Sequence, residues 1–226
     1  MDLSPEQIRH IIIYVFVLIF SVALHEFGHA IMADMLGDDT PRRQGRVTLN
    51  PLAHADPIGT FLLPIMGSVF AVGAGFGGGF GWGKPVQWQP ARVNRKWKMS
   101  TAEILVSVAG PGMNILLGTV IALVRAILNG RGIVPVNSQI DQILHFAAFT
   151  NYLLFFFNLI PAPPLDGGHV AQHLVPYKHR GTFEAYAKYG PFVVMAVAVI
   201  PQIARIFIIP AQFCSDHVYN AFSSLF

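Results

Sequence analysis

IIIYVFVLIFSVALHEFGHA, residues 11–30, is an apolar run that closes on His25-Glu26-Phe27-Gly28-His29. The run extends from about Ile8 to Leu36, and roughly 20 apolar residues suffice for a helix to cross the hydrocarbon core of a bilayer. It predicts a membrane-spanning helix. Two histidines four residues apart on a helix project from one face, one turn apart, and can both bind one zinc ion. Glu26, beside the first of them, can reach a water on that ion and act as general base. Ionisable groups inside a span are expensive, so their presence points to function.

Composition agrees with a membrane setting. Of the 226 residues, 53% are hydrophobic and 12% charged, against about 25% charged in a soluble domain. The net charge of +3 is small, and the basic residues cluster between apolar runs. That pattern belongs to membrane topology and not to nucleic-acid binding. Cys214 is the only cysteine, which excludes an intrachain disulfide and a thiolate zinc site. Met1 to Glu6 is acidic, and the apolar stretch after it has no small-residue cleavage site, so it reads as a retained helix. The length predicts a single integral-membrane domain over residues 1–226, with a core at about 8–175 and a C-terminal helical segment at about 186–226.

The expected fold is an all-α polytopic membrane protein with about four to five transmembrane helices. Short β-strands are expected near 45–50, around Val47-Thr48-Leu49, and near 84–88. Between them, Pro57 to Trp82 is apolar but broken by Pro64 and Gly77-Gly78-Gly79. Spans follow at about Thr101 to Leu128 and Ile140 to Ile160. A last run, Tyr189 to Phe213, holds Pro191, Pro201 and Pro210 and should be kinked.

A catalytic zinc site needs a third protein ligand and an open position. Asp166 is the best candidate, because it follows a span directly and lies between Pro161-Ala162-Pro163-Pro164 and Gly167-Gly168. Those residues unwind a helix and let the backbone bring a carboxylate to the metal. The plainer reading, a turn aspartate at a membrane boundary, stays open at this point. If Asp166 does join the histidines, the two spans must run in the same direction, since both place their ligands toward their C-terminal ends. Only an odd number of crossings between them allows this. Thr101 to Leu128 is one, so 57–82 should be re-entrant or a broken hairpin. With that topology Arg42, Arg43, Arg46, Lys84, Arg92, Arg95, Lys96, Lys98, Lys178, Arg180 and Lys188 fall on one side. Arg9, Arg131 and Arg125 fall on the other. The crowded side is then cytoplasmic by the positive-inside rule, and the site faces it.

At this point the residues resemble a known family. His25-Glu26-Phe27-Gly28-His29 together with Asn158 to Gly168, NLIPAPPLDGG, resembles the site-2 protease family of intramembrane zinc metalloproteases. Gly45 to Pro51 and His54 to Thr60 are similar to the GRLTLNPxxHxDPxGT segment of its compact bacterial and archaeal members. Gly81 to Val86 is similar to their GWAKPVPV stretch, and Ala109 to Asn114 to their AGPxxN motif. The likeness covers about residues 10 to 175. Two departures stand out: Gln87 to Arg92 replaces an asparagine-proline-arginine run, and Gly112 stands where bulkier residues are common.

The resemblance implies one zinc ion held by His25, His29 and Asp166, with Glu26 activating the water. It also implies that Asn158 and the AGPxxN segment, with Asn114, position substrate backbone. The implied protein is a zinc metalloendopeptidase of a prokaryotic plasma membrane, embedded in the lipid bilayer, whose substrate is a transmembrane protein. Val47 to Leu49 could hold an extended substrate by edge pairing. Asn114 could equally hydrogen-bond across helices. His54 reads as a gate, a group behind the ligands or an interfacial histidine, with a structural role favoured. His145, His169, His173, His179 and His217 read as interfacial or cytoplasmic. The competing functions are a membrane zinc-binding transporter and a catalytically inactive membrane scaffold.

Overall fold

The computed structural model describes residues 4–74 and 81–226. Helix α1, Pro5–Met35, starts at a reciprocal cap. The Ser4 hydroxyl accepts from the Gln7 backbone N–H, and the Gln7 side chain accepts from Ser4 N, with Pro5 at the first helical position. Two short helices follow, α2 (Thr40–Arg43) and α3 (Pro51–His54). A π-helical turn over Pro57–Leu62 leads into α4, Leu63–Ala74. Helices α5 (Met99–Gly130) and α6 (Gln139–Asn158) are long and apolar. Then come α7 (Asp166–Leu174), α8 (Arg180–Ala187), α9 (Gly190–Val199) and α10 (Pro201–Ser223).

Three helices, α1, α5 and α6, are long and apolar enough to cross a membrane. The pair α9 and α10, bent by 75°, makes a fourth if counted as one span. Among the described residues the count is thus three or four, at or just below the lower end of the expected four to five. The bend falls where Pro201 has no N–H to continue a helix and drives Ile200 into an extended conformation (φ −87°, ψ 110°).

Helix α5 is central, packed against α1, α6 and α10. The buried residues of the bundle are mostly small: Ala30 and Ala33 on α1, Ala102, Ala122 and Ala126 on α5, Ala148 on α6 and Ala211 on α10. The large apolar side chains, such as Phe16, Leu116, Ile206 and Phe213, point outward. Lipid is as apolar as leucine, so membrane helices gain by close backbone approach at small residues and leave their bulk to the lipid.

The start of the segment at Pro57 is tied to its far end at Trp82. The Trp82 N–H donates to the Gly59 carbonyl (3.0 Å), and the Thr60 hydroxyl donates to the Trp82 carbonyl (2.9 Å). Its two ends are thus joined, as a re-entrant segment requires. Residues 75–80, with the glycine run at 77–79, lie outside the described residues.

The strands expected near 45–50 and 84–88 are absent. Around 45–50, Gly45 takes a positive φ (69°), the Thr48 hydroxyl accepts from Asn50 N, and the Asn50 side chain caps α3. These local bonds compete with any ladder. Around 84–88 the backbone binds non-strand partners: Lys84 N–H goes to the His54 carbonyl (2.8 Å) and Val86 N–H to the Glu26 carboxylate (3.2 Å), while Pro85 has none. Gln89 N–H then goes to Asp38 and Asn94 N–H to the Leu36 carbonyl. The segment is a strap tied across the C-terminal end of α1. Arg46, grouped at first with the topology-setting charges, is buried and donates to the Ala53 carbonyl inside this region.

Candidate metal centre

His25 and His29 occupy successive turns of α1, and Asp166 is the first residue of α7. The His25 and His29 Nε2 atoms are 3.1 Å apart; His25 Nε2 lies 3.2 Å from Asp166 Oδ2, and His29 Nε2 3.4 Å from Asp166 Oδ1. Two ligands about 2.1 Å from one tetrahedral zinc ion sit about 3.4 Å apart. The three side chains match that spacing.

The other ring nitrogens say which atoms carry protons. His29 Nδ1 lies 2.7 Å from the Val106 carbonyl, which can only accept, so Nδ1 carries the hydrogen. His25 Nδ1 lies 2.7 Å from Asn114 Oδ1, and the same holds. Each neutral ring then presents a bare Nε2 lone pair, and the two lone pairs converge on a carboxylate whose Oδ2 is buried without a donor. With neutral rings this is an acceptor-only cluster, which a bound cation would complete. The residues fit zinc.

Local sequence explains the convergence. Pro111 removes the ladder N–H that would serve the Ser107 carbonyl of α5, and one residue before Ser107 the Val106 carbonyl accepts from His29. Gly110 lies against both imidazoles, and a methyl there would fall on the His29 ring. Asp166 is placed by the two glycines after it. Gly167 sits on the backbone of Leu159 and Ile160, and Gly168 on that of Ala162 and Pro163, leaving no room for a side chain at either. So the end of α6 and the start of α7 close into a tight turn.

Glu26 is buried, and its Oε2 accepts the Val86 N–H of the strap. With His25, His29, Asp166 and Asn158, it lines a cavity of about 1890 Å³. That cavity follows α1 from Gln7 to His29 and is walled by α6, α9 and α10 through Phe149, Leu153, Met195 and Phe207. Asn158 donates one amide hydrogen to Leu154 O (2.9 Å), leaving the second and its oxygen for another partner.

Asn114 is elsewhere. It is wholly buried behind His25, and both amide hydrogens are donated, to the Ser21 carbonyl and to Asn151 Oδ1 (3.1 Å each). A substrate-binding role for Asn114 is not available to a side chain with no free donor. His54 is buried and binds the Thr48 carbonyl (2.9 Å), holding the loop under the strap. His173 pairs with Glu103, joining α7 to α5; no spacing in the sequence links those two positions.

The fold and site define a class: a multi-pass helical membrane protein with a metalloprotease-type ligand group. The profile of peptidase family M50 matches residues 132–201. YwhC of Bacillus subtilis (strain 168), named as a candidate zinc metalloprotease, is 33% identical over 217 residues, covering 94% of this chain and 91% of that protein. Rip2 of Mycolicibacterium smegmatis, named likewise, is 30% identical over 192 residues, 84% of this chain and 67% of its own. Rip2 of Mycobacterium tuberculosis (strain H37Rv) is 32% identical over 162 residues, 71% and 56% of the two chains. No solved structure matches the chain. The chain belongs to peptidase family M50, the site-2 proteases.

Proposed function

We propose that the chain is an intramembrane zinc endopeptidase that cuts membrane-anchored proteins in or near their transmembrane segments. One zinc ion is held by His25, His29 and Asp166, within one integral-membrane unit over residues 1–226. The carrying observation is that the acceptor-only cluster and Glu26 open onto one long cavity. Gln7 to His29 spans roughly 33 Å of helix, close to the roughly 30 Å hydrocarbon thickness of a bilayer. A volume of about 1890 Å³ also exceeds the roughly 300–1,000 Å³ of small-molecule pockets. Both features favour a polypeptide segment over a transported ion.

When bound, zinc supplies Lewis acidity, lowering the pKa of a water to about 7 and polarising a carbonyl. Glu26 takes the proton of the attacking water and delivers it to the leaving amine nitrogen. Its Oε2 is engaged by the Val86 N–H, which leaves Oε1 for that proton. Asn158 holds the substrate backbone with its remaining hydrogen. The positive-inside count supports a site on the cytoplasmic side of a prokaryotic plasma membrane.

Comparative membrane proteomics of cells carrying wild type or Glu26→Gln tests the reading. Anchored proteins should accumulate uncut in the variant, which keeps its zinc. Identical profiles, with zinc flux altered instead, would favour a transporter.

A further inference from the structure

Behind His25, and outside the cavity, lies a polar chain that the proposed chemistry does not use. Asn151 donates its two amide hydrogens to the Ala147 carbonyl and to the Ser21 hydroxyl (2.9 Å each). Its Oδ1 accepts from Asn114 (3.1 Å), whose other hydrogen goes to the Ser21 carbonyl. Asn114 and Asn151 have no exposed surface, and Ser21 has 1%. They come from three different helices, α5, α6 and α1.

The order of donors and acceptors is forced. The Ala147 and Ser21 carbonyls can only accept, so each amide must turn its NH2 group toward one of them. That leaves Asn114 Oδ1, and no donor, facing His25 Nδ1. Turning the Asn114 amide over would set oxygen against oxygen at both Ser21 and Asn151, and buried unpaired acceptors are costly. His25 is thereby held with its proton on Nδ1 and its Nε2 bare toward His29 and Asp166.

We infer that Asn151 is a positioning residue for the metal centre. Acting through Asn114, and supported by Ser21, it selects the tautomer of His25 that binds zinc. The inference rests on the zinc reading above and adds to it a residue that touches neither metal nor substrate. Asn151→Leu removes one of the two acceptors that keep the Asn114 amide in place and leaves the Ser21 carbonyl as the other. Turning the amide over then opposes one buried oxygen instead of two, so the form that presents NH2 to His25, puts the ring proton on Nε2 and blocks the ligand atom gains population. Asn151→Asp, protonated in its buried site, keeps an acceptor for Asn114 and is the conservative rescue.

The test measures zinc affinity of purified protein by chelator competition, with thermal unfolding of the metal-free forms as control. Loss of an outer hydrogen-bond partner weakens metal binding about 10–100-fold, so Asn151→Leu should fall by that factor and Asn151→Asp stay within about threefold of wild type. Equal affinity of Asn151→Leu and wild type overturns the inference, as does equal weakening of both variants. Nitrogen-15 NMR of metal-free wild type reads the tautomer without any variant: the Nδ1–H form at His25 is expected, and the Nε2–H form contradicts the inference. A wild-type protein that takes up no zinc overturns the site reading itself, and this inference falls with it.

Discussion

The His25–His29–Asp166 group and the Arg125–Asp141 cluster share one helix bundle, roughly 22 Å apart along α5 between Gly110 and Arg125. Both are ionic, and both lie among helices that face lipid. In the second cluster every charge has its complement. The Arg125 guanidinium donates to both Asp141 oxygens (2.7 and 3.0 Å), Asn129 adds a third hydrogen bond and Asn137 N–H a fourth. The Tyr219 ring of α10 covers the guanidinium at 4.0 Å. In the first cluster, with both rings neutral, two lone pairs and a carboxylate face one another. One arrangement pairs its charges internally and ties α5, α6 and α10 together; the other, with neutral rings, offers its acceptors to a cation. Burial and charge alone do not distinguish a structural polar cluster from a functional one. The count of donors against acceptors does.

That contrast can be broken by mutation. The largest effect belongs to Glu26→Gln, which should lower cleavage of a transmembrane substrate by about 10²–10⁴-fold, the range of general acid–base catalysis. Its thermal unfolding and zinc content should stay at wild-type values. Asp141→Ala should do the opposite. It leaves Arg125 buried and unpaired, a change that destabilises by about 3–5 kcal/mol, read as an earlier unfolding transition in detergent. The folded fraction should still bind zinc.

Metal removal should act on one cluster only. Zinc at a hundred times its Kd stabilises by about 2.7 kcal/mol, so chelation should lower the unfolding midpoint of wild type and of Asp141→Ala alike. Asp166→Ala should show no such shift. Gly110→Ala, whose methyl meets the His25 and His29 rings, should weaken zinc binding by about tenfold or more. A normal zinc affinity in that variant would show that α5 does not set the ring positions.

Much of the site was legible because its signals are local. His25 and His29 are related by helical periodicity, and Asp166 is marked by the prolines and glycines around it. The directional argument needs one crossing between the two ligand spans, and among the described residues α5 is the helix between α1 and α6 that is long and apolar enough to supply it. What was not legible depends on contacts between distant segments. Asn114 looked like a substrate group because a polar residue in a span can serve several purposes. Its role is decided by Ser21 and Asn151, which come from other helices. The Val106 carbonyl is backbone and leaves no trace in residue type. Lys84 to Trp88 has strand-like composition, but the Lys84 and Val86 N–H groups go to the end of α3 and to the Glu26 carboxylate, and among the described residues no neighbouring strand completes a ladder. Arg46 was counted among exposed charges because nothing in its own neighbourhood foretells the Ala53 carbonyl that receives it.

The central claim is that His25, His29 and Asp166 form one cation site. Elemental analysis of zinc per chain, on purified wild type and Asp166→Ala side by side, tests it most directly. The account predicts about one zinc per wild-type chain and a large loss in the variant. Equal zinc in both proteins would contradict it.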